Sequence, residues 1–261
     1  MIVTRKELME KRIIRIGILL AGTPLPQIVK QYGNYEVQFN RLLKKAIEIG
    51  NNKNIILEVK GYEVQKLEFP NIEELLELDG LIISGSAFSA YEDLPWINRL
   101  INFTKFIIEE HTKVKLIGVC FGHQIIARAM GGQVVKNPMG WEVAVTEVSV
   151  TEVGKKFFNT NKEFLRVQEM HQDHVSLIPP NFINLGYTEK SPVQGMLKEN
   201  HVFTIQGHPE FVSDVVREIT QFRYEIGIFD SDSAQMYLKN ADLDDDSILI
   251  GRKFIEFLTS K

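Results

Sequence analysis

Short apolar runs alternate along the chain with longer stretches whose apolar residues recur at helical spacing, the pattern of a layered α/β domain. Ile13-Ile14-Arg15-Ile16-Gly17-Ile18-Leu19-Leu20 predicts a first, largely buried strand. After a loop containing Gly and Pro, Phe39, Leu42, Leu43, Ala46 and Ile47 follow a helical period, and Ile55 to Val59 predicts a second strand. Asn71 with Glu74 beyond it has the form of a capping box, opening a short helix that stops at Asp79-Gly80. Leu81-Ile82-Ile83 predicts a buried strand running into Ser84-Gly85-Ser86. Trp96, Leu100, Phe103 and Ile107 then form the stripe of a long amphipathic helix, and Val114 to Val119 predicts another buried strand. That strand stops at Cys120.

The second half changes texture. Glu142 to Val150 alternates like a half-exposed strand, and Met196-Leu197 and Val202 to Ile205 flank Lys198-Glu199-Asn200-His201 as a hairpin. From Ser213 onward the pattern is helical, with a polar break at Asp242 to Asp246. No internal repeat, low-complexity tract or linker interrupts the chain. A single domain over residues 1–261 is expected, ending in a helical extension over about 212–261.

Composition narrows the function classes. With 44% apolar and 25% charged residues the chain is that of an ordinary globular protein. A formal net charge of −4 leaves no basic surplus to displace counterions, so no nucleic-acid partner is expected. A lone cysteine excludes an intramolecular disulfide and fits a reducing compartment. The apolar stretch from Ile13 to Leu20 is broken by Arg15 and preceded by Arg5-Lys6-Glu7, unlike a secretory signal. No run approaches the ~18 apolar residues of a membrane helix. A cytoplasmic protein with no membrane partner is the expectation. The acidic run at Asp242 to Asp246 lacks the glycine and distal glutamate of a calcium loop and is read as a solvated loop.

Candidate chemistry centres on Gly118-Val119-Cys120-Phe121-Gly122, which joins a buried strand to a helix pattern running to Met130. This is the thiol counterpart of the G-x-S-x-G elbow. A sharp turn holds the nucleophile, small neighbours clear its side chain, and a helix N-terminus aims N–H groups at developing negative charge. A buried, inert cysteine is the bland alternative, which the flanking glycines disfavour. A thiol nucleophile needs a histidine base. His111 ends a charged helix and is read as a surface residue. His123 sits in the elbow helix, poorly placed to reach back, and His201 lies near a hairpin tip. His171 and His174 form an H-x-x-H, but no further ligands cluster near them, so no metal is expected. His208 stands out. In Gln206-Gly207-His208-Pro209-Glu210, Pro209 stiffens an extended segment from which imidazole and carboxylate can point the same way. Trp141-Glu142 is read as a packed tryptophan beside a solvated glutamate.

Gly118-Val119-Cys120-Phe121-Gly122-His123-Gln124 resembles the nucleophile motif of class I glutamine amidotransferases, and Gln206 to Glu210 resembles their His-Pro-Glu motif. Ile82-Ile83-Ser84-Gly85-Ser86 is similar to their oxyanion strand and loop, and Met170-His171-Gln172-Asp173 falls where their substrate-wall segment lies. Order and spacing agree over about residues 13–211. The resemblance implies an α/β fold with a mostly parallel central sheet flanked by helices, in flavodoxin-like layering, with a small antiparallel β portion. It implies Cys120 as nucleophile, His208 as general base and acid, and Glu210 as the residue orienting His208. It further implies an oxyanion hole from the backbone N–H groups of Ser86 and Phe121. Substrate contacts would come from Gln124, Gly85, His171 and Gln172, with no metal and no cofactor. The reaction implied is hydrolysis of a γ-glutamyl amide through a thioester.

Two positions depart from the family pattern. Ser86 stands where the large synthetase-linked enzymes carry a second glycine, and Gly207 replaces a common phenylalanine. Together with Tyr91 to Trp96, Asn137 to Glu142 and Gln206 to Phe211, they resemble the free-standing branch, which includes fungal amidotransferase-like proteins and plant γ-glutamyl peptidases. The favoured expectation is a hydrolase of small γ-glutamyl amides or peptides. A glutaminase subunit feeding ammonia to a separate synthetase is the alternative, since no G-x-x-x-x-G-K phosphate loop is present. A non-catalytic binding protein on the same fold is the third reading. Intact Cys120, His208 and Glu210 argue against it.

Overall fold

Strands built from Ile, Leu and Val on both faces need cover on both sides, and the fold supplies it. The computed structural model describes residues 11–51 and 54–260. β1 (Arg12–Leu19) leads to α1 (Pro26–Tyr32), α2 (Tyr35–Ile49) and β2 (Ile55–Tyr62), which lies parallel to β1. α1 falls in the stretch read as a loop. Pro26 occupies its first turn, where a missing N–H costs nothing. α3 (Ile72–Glu77) opens with the expected capping box between Asn71 and Glu74. β3 (Gly80–Ile83), α4 (Pro95–Glu110), β4 (Lys115–Val119) and α5 (Phe121–Ala129) follow.

The second half holds β5 (Gln133–Lys136), β6 (Glu142–Val150), α6 (Glu152–Phe158), β7 (Phe164–His171), β8 (Asp173–Leu177) and β9 (Ile183–Tyr187). β10 (Gly195–Lys198) and β11 (Val202–Ile205) form the expected hairpin. The tail carries α7 (Ser213–Glu225), α8 (Ser231–Asn240) and α9 (Ser247–Thr259). Its helical pattern breaks at the acidic run as anticipated, and also at Gly227, whose φ is +74°. In the acidic run Asp242 pairs with Arg217 at 2.9 Å, and Asp246 pairs with Lys162 at 2.5 Å while accepting the Arg166 N–H. These aspartates tie the loop to α7 and β7.

The main sheet runs β2-β1-β3-β4-β11-β10-β9-β6-β7, parallel from β2 to β11 and antiparallel beyond, with β5 and β8 forming a small second sheet. Alternate strand residues feed two cores. Ile14, Ile16, Ile18, Ile82 and Ile117 pack with α2 and α9 on one face. Leu19, Leu81, Ile83 and Leu116 pack with α4 and α5 on the other. This is the α/β class expected from the sequence. Among the described residues no helix is long and apolar enough to cross a membrane.

Close approach of α5 to β3 depends on Gly122. A Cβ there would lie 2.3 Å from the Ile83 carbonyl oxygen, a backbone atom that cannot yield cheaply. Gly122→Ala is therefore expected to cost about 1–3 kcal/mol, the range for overpacking a tight interior. A thermal melt checks this, and wild-type stability in that variant would contradict the packing described.

Candidate active site

Three parallel strands end together. Ile83 pairs with Gly118, and Val119 pairs with Ile205, so β3, β4 and β11 release Ser84-Gly85-Ser86, Cys120 and Gln206 to Glu210 at one edge of the sheet. This is the carboxyl edge of a parallel sheet, the usual place for chemistry in α/β folds. The Cys120 N–H donates to the Ile205 carbonyl at 2.9 Å, binding the elbow to the strand that leads to His208.

Cys120 sits at φ 53°, ψ −105°, a conformation costly for a residue with a Cβ. It is sustained by the glycines on either side. A Cβ on Gly118 would meet the Gly122 backbone at 2.7 Å. The first turn of α5, starting at Phe121, aims helical N–H groups past the buried thiol. Ser86 does not adopt a positive φ, so serine is accommodated there without backbone strain.

His208 is buried and held from several directions. Its backbone N–H donates to the Gln168 carbonyl at 2.7 Å, and its ring stacks on Phe211 with centroids 4.0 Å apart. Nδ1–H donates to Glu210 Oε1 at 2.8 Å. Gly85 makes room for the ring, since a Cβ there would lie 2.7 Å from His208 Cε1. Burial alone would lower the imidazole pKa. Hydrogen bonds and charge from Cys120 and Glu210 overcome it and raise the pKa to about 10. The Glu210 carboxylate is buried, and its backbone carbonyl accepts from Arg41 Nη2 at 3.2 Å. Tyr35, stacked on Phe211, has its hydroxyl pKa raised by burial and by the nearby Glu210 and Cys120.

Cys120 opens onto a cleft of about 400 Å³ whose walls include Ser86, Phe121, Gln124, Trp141, His171 and Gln172. The structure thus gathers Cys120, Ser86, Phe121, Gln124, His171 and Gln172 around one cleft, with Gly85, His208 and Glu210 behind it. Three further histidines lie elsewhere. His123 bonds Thr204 Oγ1 within the core, His201 bonds the Val114 carbonyl, and His111 caps α4 against Phe106.

The sequence profile described as Glutamine amidotransferase class-I matches residues 34–220. The chain belongs to the class I glutamine amidotransferase family. It is 35% identical to a glutamine amidotransferase-like protein of Schizosaccharomyces pombe over 93% of this chain and 98% of that protein. It is 30% identical to gamma-glutamyl peptidase 5 of Arabidopsis thaliana over 88% of this chain and 90% of that one. A crystal structure of a glutamine amidotransferase from Thermotoga maritima superposes with a TM-score of 0.71 over 95% of this chain and 99% of that one. At 18% identity that likeness concerns the fold.

The wall of this amidotransferase cleft is braced by buried charge. Gln124 Nε2 donates to the Asp173 carbonyl at 2.9 Å and to Gln206 Oε1 at 3.1 Å, joining the elbow helix to both neighbouring loops. His171 Nδ1–H donates to the Asp173 carbonyl at 2.8 Å, while Nε2 faces Glu142 at 3.2 Å and Glu169 at 3.3 Å. The reading of Glu142 as solvated is overturned. It lies opposite His171 in the β6–β7 pairing, turned inward, where Thr188, Ser191 and Gln194 also donate to it. Burial would raise the Glu142 pKa, but His171 and the two hydroxyls hold it at about 2. His171 is driven well above its ordinary value, burial being outweighed by the two acids. Burial raises the Glu169 pKa. Glu169 fills the space beside Gly207, where a Cβ would sit 2.6 Å from its Oε1. Glu142 was visible only as a partner of Trp141, and nothing in the local sequence marked Glu169 or Arg223, whose guanidinium lies 4.1 Å over the Trp141 ring.

Glu142→Gln removes one of the two acids that face His171. The expected loss is about 3–5 kcal/mol at neutral pH, the cost of breaking a buried ion pair. Because the folded pKa of Glu142 lies below its ordinary 4.5, its contribution is complete above that value and fades as pH falls toward about 2. Urea unfolding of wild type and variant should show a gap that narrows across that window. A gap independent of pH would dissociate Glu142 from the effect.

Proposed function

We propose that this protein hydrolyses γ-glutamyl amide bonds of small peptides through a γ-glutamyl thioester on Cys120. The observation that carries the reading is the elbow thiol at φ 53° beside an imidazole braced by Glu210 at 2.8 Å. A His208 pKa of about 10 favours an imidazolium facing Cys120, a proton donor ready for the departing nitrogen.

In the first half-reaction the Cys120 thiolate attacks the γ-carbonyl carbon, and the backbone N–H groups of Ser86 and Phe121 receive the developing oxyanion. As the C–N bond breaks, His208 gives its proton to the departing nitrogen and an amine leaves. Water then attacks the thioester, His208 takes the water's proton, and the C–S bond breaks to release glutamate and regenerate the thiolate. Glu210 keeps the Nδ1–H in place so that Nε2 faces the chemistry. Gln124, Gly85, His171 and Gln172 form the surround of the γ-glutamyl group. The gamma-glutamyl peptidase relatives support peptides as substrates. A thiol of this kind works where it stays reduced, as in the cytoplasm.

Cys120→Ala is expected to lower kcat by about 10⁴-fold or more with the fold intact. Acid-quenched wild-type enzyme should carry a γ-glutamyl adduct on Cys120 by intact-mass spectrometry. Glu210→Gln keeps shape but loses charge and can present an N–H to the ring, so a fall of ~10²-fold in kcat with little change in KM is expected. Retention of a tenth of wild-type activity in Cys120→Ala would overturn the mechanism. Ammonia release from glutamine with no γ-glutamyl peptide turned over would favour a glutaminase instead.

A further inference from the structure

Behind His208 lies a second space of about 130 Å³. His208 borders this chamber and not the cleft, while Cys120 borders the cleft and not the chamber. Ser86, Ala87, Met170, Phe222 and Arg223 wall both. The two spaces therefore adjoin along these five residues, with Cys120 on one side and His208 on the other. Given the mechanism above, on which this inference rests, the scissile amide must lie at that junction. Its carbonyl carbon faces Cys120 and its nitrogen faces His208, because the nitrogen takes its proton there. The γ-glutamyl group then occupies the cleft, and the leaving group points into the chamber.

The chamber's own chemistry describes that leaving group. Its walls include Leu25, Ile28, Tyr35, Phe211, Val215 and Ile219, an apolar set suited to a hydrocarbon or aromatic side chain. At the junction stands the Arg223 guanidinium. Among the described residues no carboxylate pairs with it. Its Nη1 meets Met170 Sδ at 3.4 Å, and its flat face lies over Trp141. Burial lowers its pKa to about 10, which leaves it charged at neutral pH. A half-buried cation without an anion is costly unless a ligand supplies one. The carboxylate of a departing amino acid sits on the carbon next to the scissile nitrogen and so falls at this junction. Leu25, Ile28, Phe222 and Arg223 all lie outside residues 34–220, in segments flanking the family match.

We propose that this chamber is a leaving-group site, and that the substrates are γ-glutamyl derivatives of apolar α-amino acids with a free carboxylate. The chamber takes the apolar side chain and Arg223 takes the carboxylate.

The test compares kcat/KM for γ-glutamyl-leucine, γ-glutamyl-glycine, γ-glutamyl-leucinamide and glutamine. Wild type should favour γ-glutamyl-leucine over γ-glutamyl-glycine by about tenfold or more, the return on burying one aliphatic side chain. It should also favour the free acid over the amide by a similar factor. Arg223→Gln should erase the acid-over-amide preference, and Ile219→Asn should shrink the leucine-over-glycine preference, with thermal melts confirming folded protein. Equal rates on the leucine and glycine peptides, or a preference for glutamine, would overturn the leaving-group site while leaving γ-glutamyl hydrolysis standing. An Arg223→Gln loss shared equally by acid and amide would overturn the carboxylate contact. No glutamate from any of the four would instead defeat the hydrolase reading itself, and this inference with it.

Discussion

One backbone hydrogen bond, from Cys120 N–H to the Ile205 carbonyl, holds together what the site needs. Cys120 and His208 are far apart in sequence and arrive by different strands. In-register pairing of β4 with β11 makes both strands stop at the same level, and this last bond closes the ladder just where the chain turns. Loss of that register by one residue would turn every side chain of β11 to the opposite face and carry His208 away from the thiol. The geometry of the pair is thus a property of the sheet.

Around that junction, small residues permit contact distances that any side chain would prevent. Gly122 brings α5 onto β3, Gly85 admits the His208 ring, and Gly207 leaves space for the Glu169 carboxyl. Each removes a Cβ at a place where a neighbour already fills the volume. The result is a thiol and an imidazole fixed by packing before any ligand arrives, as a preorganised site requires.

Buried charge is handled in two ways on the two sides of the cleft. Glu142 and His171 are surrounded by partners, with hydroxyls and amides completing the acid's hydrogen bonds, so this pair stiffens the wall. Arg223 has aromatic and thioether neighbours and, among the described residues, no carboxylate partner. Paired charge of the first kind stiffens the wall, whereas the cation of the second kind is the feature on which the leaving-group proposal rests.

Local sequence determined much of this protein. The apolar runs specified β1, β3 and β4, the Asn71–Glu74 box specified the start of α3, and the glycines around Cys120 specified a sharp strand-to-helix turn. His208 and Glu210 were legible together because two residues of extended chain suffice to bring their side chains into contact. What lay beyond reach was set by pairing across strands. β7 lacks a clear strand signature because Arg166, Gln168, Glu169 and His171 break its apolar pattern, and the burial of Gln168, Glu169 and His171 makes sense only once β6 places Glu142 opposite His171. Arg223 comes from a helix whose own sequence says nothing of the cleft it borders. A motif can be read when its parts interact along the chain. A wall assembled from separate elements exists only in the folded protein, because register and helix docking decide which polar groups share a buried space.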